Sequence, residues 1–158
     1  MSGGPFGHNK FDETTKQIPV MTAGAYTAND ALGDMLTFQM GSKPDNGGVI
    51  MQLVLIDHAK QAKTFNLVLF NQPFTATADN AAFAPTDFDL DAFCIGHIAI
   101  EAQHWATFAT NAIATVPIVF PFIGDTQGKI YGQLQELGGG TYVATNDIVV
   151  KLVGFLNG

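Results

Sequence analysis

Arginine is absent from this 158-residue chain. Its basic residues are all lysines: Lys10, Lys16, Lys43, Lys60, Lys63, Lys129 and Lys151. Arginine is the side chain best suited to grip phosphates and guanine edges with two hydrogen bonds. A net charge of −7 would also repel a polyanion. Both facts argue against direct nucleic-acid binding. Cysteine is limited to Cys94, which excludes an intrachain disulfide. Serine is limited to Ser2 and Ser42, and no G-x-S-x-G elbow exists. No apolar run approaches the length of a membrane span. Met1–Lys10 lacks the apolar centre of a secretory signal. The expectation is a soluble chain made in a reducing cytoplasm, without membrane association.

Charge is also scarce. Charged residues make up 13% of the chain, against roughly 25% in an ordinary domain. Hydrophobic residues, at 47%, are ordinary. Free monomers normally use charge to stay soluble. Two readings stay open: a neutral surface rich in Asn, Gln, Thr and Ala, or a surface covered by neighbours. The length suits one domain, and a chain of this size buries about 68–70% of its unfolded surface.

What is present is a series of short apolar segments punctuated by turn residues. Residues 1–17 read as a flexible arm, broken by Gly3, Gly4, Pro5 and Gly7. Phe6 and Phe11 are its large apolar residues and its candidate docking anchors. Residues 18–158 read as a single β-sandwich domain. The expected strands are Ile18–Thr22, Met35–Met40, Val49–Asp57, Thr64–Phe70, Phe93–Ile100, Trp105–Asn111, Thr115–Phe122, Ile130–Leu137 and Ile148–Leu156. In Thr64–Phe70 the alternation puts Phe65, Leu67 and Leu69 on one face, Val68 and Phe70 on the other. A long polar, acidic loop follows, to Asp91. Thr86 or Asp87 would cap a helical turn within Asn80–Phe93. Val49–Ile56 and Ile148–Phe155 are apolar on both faces, so each needs a second cover: a loop of the same chain, or another subunit. Pro117 and Pro121 cannot donate to a ladder, which predicts an edge or irregular strand there.

Few residues arrange themselves for chemistry. His97, Glu101 and His104 would share a helical face as a two-histidine, one-carboxylate metal set. The segment reads as a strand, which turns His104 away. Asp87, Asp89 and Asp91 begin like a calcium loop, but Ala92 and Ile98 stand where glycine and glutamate are needed. They are better explained as carboxylates at a helix start. Gly124–Lys129 is one residue short of a phosphate-binding loop and continues with Ile130. Cys94 sits in an apolar strand with no lysine nearby to stabilise a thiolate. No catalytic residue, cofactor or metal is expected, and the chain reads as a non-enzyme.

Four segments, in order and spacing, resemble a family of small structural proteins of tailed bacteriophages. They are Tyr26–Phe38 (YTANDALGDMLTF), Leu67–Phe83 (LVLFNQPFTATADNAAF), Lys129–Gly132 (KIYG) and Thr141–Leu152 (TYVATNDIVVKL). The similarity runs from about Ile18 onward and leaves out the arm. It implies an all-β, antiparallel, jelly-roll-like sandwich; the extended N-terminal arm, read from the residues themselves, departs from the family pattern, as do Pro117 and Pro121. It implies a capsid cement or decoration protein that bridges major capsid subunits and self-associates, for example as a trimer. The expected location is the capsid surface of a virion assembled in the host cytoplasm. The alternative is a tail or fibre module binding a host glycan, with Phe74, Phe83, Phe88 and Tyr142 as its aromatic platform.

Overall fold

The computed structural model describes residues 10–13, 16–40 and 47–156. In chain order the strands are β1 (Lys10–Glu13), β2 (Gly24–Ala25), β3 (Asp30–Gln39), β4 (Gly47–Asp57) and β5 (Phe65–Phe70). Helix α1 (Asp87–Phe93) leads directly into β6 (Cys94–Ile100). A 3-10 turn (Ala102–His104) then precedes β7 (Trp105–Thr107), β8 (Ala112–Ile123), β9 (Lys129–Glu136), β10 (Thr141–Tyr142) and β11 (Ile148–Leu156). Every strand pairing is antiparallel. The chain is an all-β sandwich of a five-stranded sheet, β1-β11-β4-β8-β7, and a four-stranded sheet, β3-β9-β5-β6. A small ribbon pairs β10 with β2.

The core forms because inward side chains alternate along each long strand. Ile50, Leu53 and Leu55 of β4, Val150 and Leu152 of β11, and Ala114 and Val116 of β8 come from one sheet. Leu36 and Phe38 of β3, Phe65, Leu67 and Leu69 of β5, Ile98 and Ile100 of β6, and Leu134 of β9 come from the other. The period-two reading of β5 is borne out. Val68 and Phe70 point to the opposite face, where they join a second cluster.

Most expected strands are present with shifted ends. Ile18–Thr22 is the exception and forms no strand. The physical reason is Pro19, which is buried against Gly33. A Cβ added to Gly33 would lie 2.3 Å from the Pro19 Cβ. Gly33 itself has φ +77°, in the left-handed region. The segment therefore packs onto β3 through a close contact at the point where the β3–β9 register shifts. Trp105–Asn111 is also cut short, ending at Thr107. Within residues 1–17, β1 pairs with β11, with Phe11 opposite Phe155 in register. Gln17 exchanges backbone hydrogen bonds with Val150. Phe6 lies outside the described residues.

Candidate assembly surface

The two sheets treat their outer faces differently. The four-stranded sheet is covered by the chain's own segment 71–93. Phe74 of that segment stacks on Phe70 with ring centroids 3.9 Å apart. Tyr131 completes this buried cluster, with Met35, Val68, Ala76, Phe93 and Cys94 packed around it.

Polar side chains fasten the cover. Gln133, fully buried on β9, donates to the carbonyls of Gly33 (2.9 Å) and Thr77 (2.7 Å). Its own Oε1 accepts from the Thr77 N–H at 3.0 Å. Asp79 accepts from Thr22 N–H (2.8 Å), Thr22 Oγ1 (2.9 Å), Tyr26 Oη (2.8 Å) and Gly33 N–H (2.6 Å). Thr86 is the N-cap of α1, accepting from Asp89 N–H at 3.1 Å. The Asp89 carboxylate accepts from Thr86 Oγ1 (2.8 Å) and Thr75 N–H (3.0 Å). Buried Asp89 is thus an internal fastener of the D-x-D-x-D run, whereas Asp87 and Asp91 are exposed.

The outer face of the five-stranded sheet carries no such cover among the described residues. Its register places side chains in rows across β11, β4 and β8: Val149–Ile56–Ile113, Lys151–Val54–Thr115, Val153–Gln52–Pro117 and Phe155–Val49–Pro121. Lys151, Thr115 and Gln52 are the polar members of these rows. Val119 and Ile123, further out on β8, are 73% and 67% exposed. Strand spacing of about 4.8 Å and a rise of about 3.4 Å per residue give these rows, polar members included, a footprint of roughly 400 Å². That is within the range of the largest apolar patch on a monomer, and such a patch is often an interaction site.

β8 meets β7 only over Ala112–Ala114. Pro117 and Pro121 therefore fall in a stretch that is paired on one side only, where missing N–H donors are tolerated. On this open side Gly96 of β6 faces the Phe120 ring; an added Cβ would lie 3.0 Å from it. Beside that contact is a cleft of about 410 Å³ lined by Asn71, Ile95, Pro121, Phe122 and Ile123. The Asn71 Oδ1 is buried without a hydrogen-bond partner.

Several of the residues considered for chemistry hold the scaffold together. Glu101 and His104 cap the 3-10 turn together: the Glu101 N–H donates to His104 Nδ1 at 2.9 Å, and Gln103 Nε2 donates to the Glu101 carboxylate. His97 is exposed on β6. Among the described residues no group of three or more His, Cys, Asp or Glu is placed to hold a metal ion. In the Gly124–Lys129 turn, Asp125 accepts from Gln127 N–H (2.8 Å), Lys129 N–H (2.9 Å) and Tyr131 Oη (2.6 Å). Burial raises the Asp125 pKa, but these donors outweigh it and leave it below the ordinary carboxylate value.

At one end of the sandwich three buried carboxylates organise loops. Asp57 accepts from the N–H groups of Ala59, Gln61 and Ala62, at 2.8–2.9 Å. Glu136 accepts from Gly138 and Gly140, both at 2.6 Å. Asp147 accepts from Val143 (2.7 Å) and Ala144 (2.8 Å). Burial pushes the Asp57 pKa up despite its amide donors.

The aromatic platform imagined for a glycan is taken apart by burial. Phe74 is 9% exposed and Tyr142 1%, and Phe83 is half-buried. Phe88 alone stands out, at 69% exposed. Among the described residues no helix is long and apolar enough to cross a membrane. No family model and no curated protein matches this chain.

Proposed function

We propose that this chain is a non-enzymatic structural protein of a tailed-phage virion, a capsid cement protein that bridges major capsid subunits. The observation that carries the reading is the unequal treatment of the two sheets. The chain spends more than twenty residues and a set of polar fasteners on covering one outer face. Among the described residues it leaves the other face without a comparable cover, with Val149 alone of its rows buried and little charge to keep the rest in water. A second protein surface is the cover such a face calls for.

The strand order supports the jelly-roll form of the sandwich. The pairs β1·β11, β3·β9, β4·β8 and β5·β6 form one long antiparallel ribbon. Successive pairs alternate between the sheets, as in a ribbon rolled up on itself. The test is the copy number of this chain in purified virions against the major capsid protein, by quantitative mass spectrometry. Comparable counts support cement; a tail-level count or absence sinks it. Val119→Asp, on the uncovered face, is expected to reduce binding to capsids without unfolding the sandwich.

A further inference from the structure

The four sheet edges differ in how they are protected against pairing. Unprotected edges are templates for another strand. β1 is four residues long and carries Lys10, Asp12 and Glu13. The β8 edge has Pro117, Pro121 and the short β7. The start of β3 is occupied by segment 80–83, which exchanges backbone bonds with Asn29 and Ala31. β6 has none of these devices, and its one irregularity in pairing is the register shift against β5 between Cys94 and Gly96. Its seven residues, Cys94–Ile100, contain no proline, lysine, arginine or carboxylate. It pairs with β5 on one side; outside that ladder the Cys94 N–H donates to the Asp89 carbonyl and the Cys94 thiol reaches the Gly96 carbonyl at 3.9 Å, and no other described residue bonds to its backbone. The apolar cleft opens beside it, with Ile95 of β6 in its wall.

We infer that β6 accepts an extended strand from a second copy of this chain, namely residues 1–9, with Phe6 seated in the cleft. The inference rests on the assembly reading above and concerns the β6 edge, whose cleft shares only Pro121 and Ile123 with the uncovered face. Main-chain bonds along an edge give affinity, and a pocket beside it gives specificity. Residues 1–9 (MSGGPFGHN) have the matching chemistry: no Asp, Glu, Lys or Arg, and a single aromatic. No unpaired charge is therefore buried against the apolar edge. Nine residues extend to about 30 Å, and a seven-residue edge measures about 23 Å. Residues 1–9 directly precede β1, which lies across β11 and β4 from β8 and the cleft. Donor and acceptor sites are thus different surfaces of one molecule. Such head-to-tail contacts close into rings when the rotation permits.

The test is the solution mass of the full-length chain by light scattering, with hydrogen exchange read at β6. A closed oligomer with protected β6 amides is expected. Phe6→Asp and Ile123→Asp should each raise the dissociation constant at least about tenfold and expose β6. Ile123 is 67% exposed, so its replacement leaves the core intact. Val119→Asp, outside the cleft, should leave the oligomer unchanged. A monomeric wild-type chain, or an oligomer indifferent to both cleft-directed changes, overturns the inference. So does β6 protection that appears only on capsids, which would assign the edge to a capsid strand. Capsid binding measured in parallel separates the two readings. A monomer that still coats capsids sinks arm exchange alone; an arm-linked oligomer that ignores capsids sinks the cement reading alone.

Discussion

Asp79→Ala should loosen the cover over the four-stranded sheet more than any other single change in segment 71–93. Its carboxylate takes four hydrogen bonds, from Thr22 N–H and Oγ1, Tyr26 Oη and Gly33 N–H. The two from Thr22 are reachable by water, so each is worth about 0.5 kcal/mol net. Those from Tyr26 and Gly33 are partly sheltered and end on a charged acceptor, so each is worth about 1.5 kcal/mol. The sum is about 4 kcal/mol, a large share of the roughly 5–15 kcal/mol that holds a domain together. Asp79→Asn keeps one acceptor oxygen and turns the other into a donor facing donors, so it should lose about half as much. Urea unfolding gives the free energies, and hydrogen exchange gives their location. Exchange should quicken first in segment 71–93 and around Gly33, ahead of the core strands β4 and β11. A loss below about 1 kcal/mol for the alanine variant, or equal losses for alanine and asparagine, would refute the reasoning.

Gly154→Ala should cost about 3 kcal/mol, because the new Cβ meets backbone, which cannot swing aside. It would lie 2.3 Å from the Val49 carbonyl oxygen and 3.1 Å from the Ile50 Cα, where the β11–β4 register shifts. A urea midpoint equal to wild type would show that β11 yields there. The chain has three tyrosines, and in each burial raises the phenol pKa: Tyr26 to about 12, Tyr131 to about 12, and Tyr142 higher still. Alkaline titration followed by phenolate absorbance should therefore show little ionisation near pH 10 while the chain is folded. The raised folded values mean that this stability is complete below the unfolded value near 10 and is lost as pH rises towards 12 and beyond. A full tyrosine ionisation step near pH 10, with the fold intact, would contradict the burial.

The layers of the sandwich were legible where burial follows alternation. Phe65, Leu67 and Leu69 declare the inner face of β5 by spacing alone, and Pro117 and Pro121 declare the incompletely paired strand. The beginning of β3 was not legible: the expected strand opened at Met35, whereas β3 starts at Asp30 and runs through Gly33, where Pro19 packs from a distance. Segment 71–91 was visible as a loop but not as a cover. Its fasteners come from Thr22, Gly33 and Gln133, which no local pattern links to it. The apolar character of β4 and β11 on both sides was plain from composition. That the chain provides a cover for the opposite sheet, and none among the described residues for theirs, depends on the topology. The cleft was invisible, because Asn71, Ile95 and Pro121 meet only when the edges of two sheets are brought together.

The position of β11 has a consequence for the chain while it is being made. This strand is synthesised after every other, yet it belongs between β1 and β4. Until Ile148–Leu156 emerges, β4 has one bare edge, and β1 has no neighbour to pair with. A nascent or truncated chain thus presents an apolar strand with unpaired backbone, the kind of edge that seeds aggregation. The five-stranded sheet can close only once β11 has been made. Pairings so distant along the chain form slowly. Premature termination before Ile148 should therefore yield insoluble material and no partially active fragment, and exposure to other copies would be greatest just before that strand arrives.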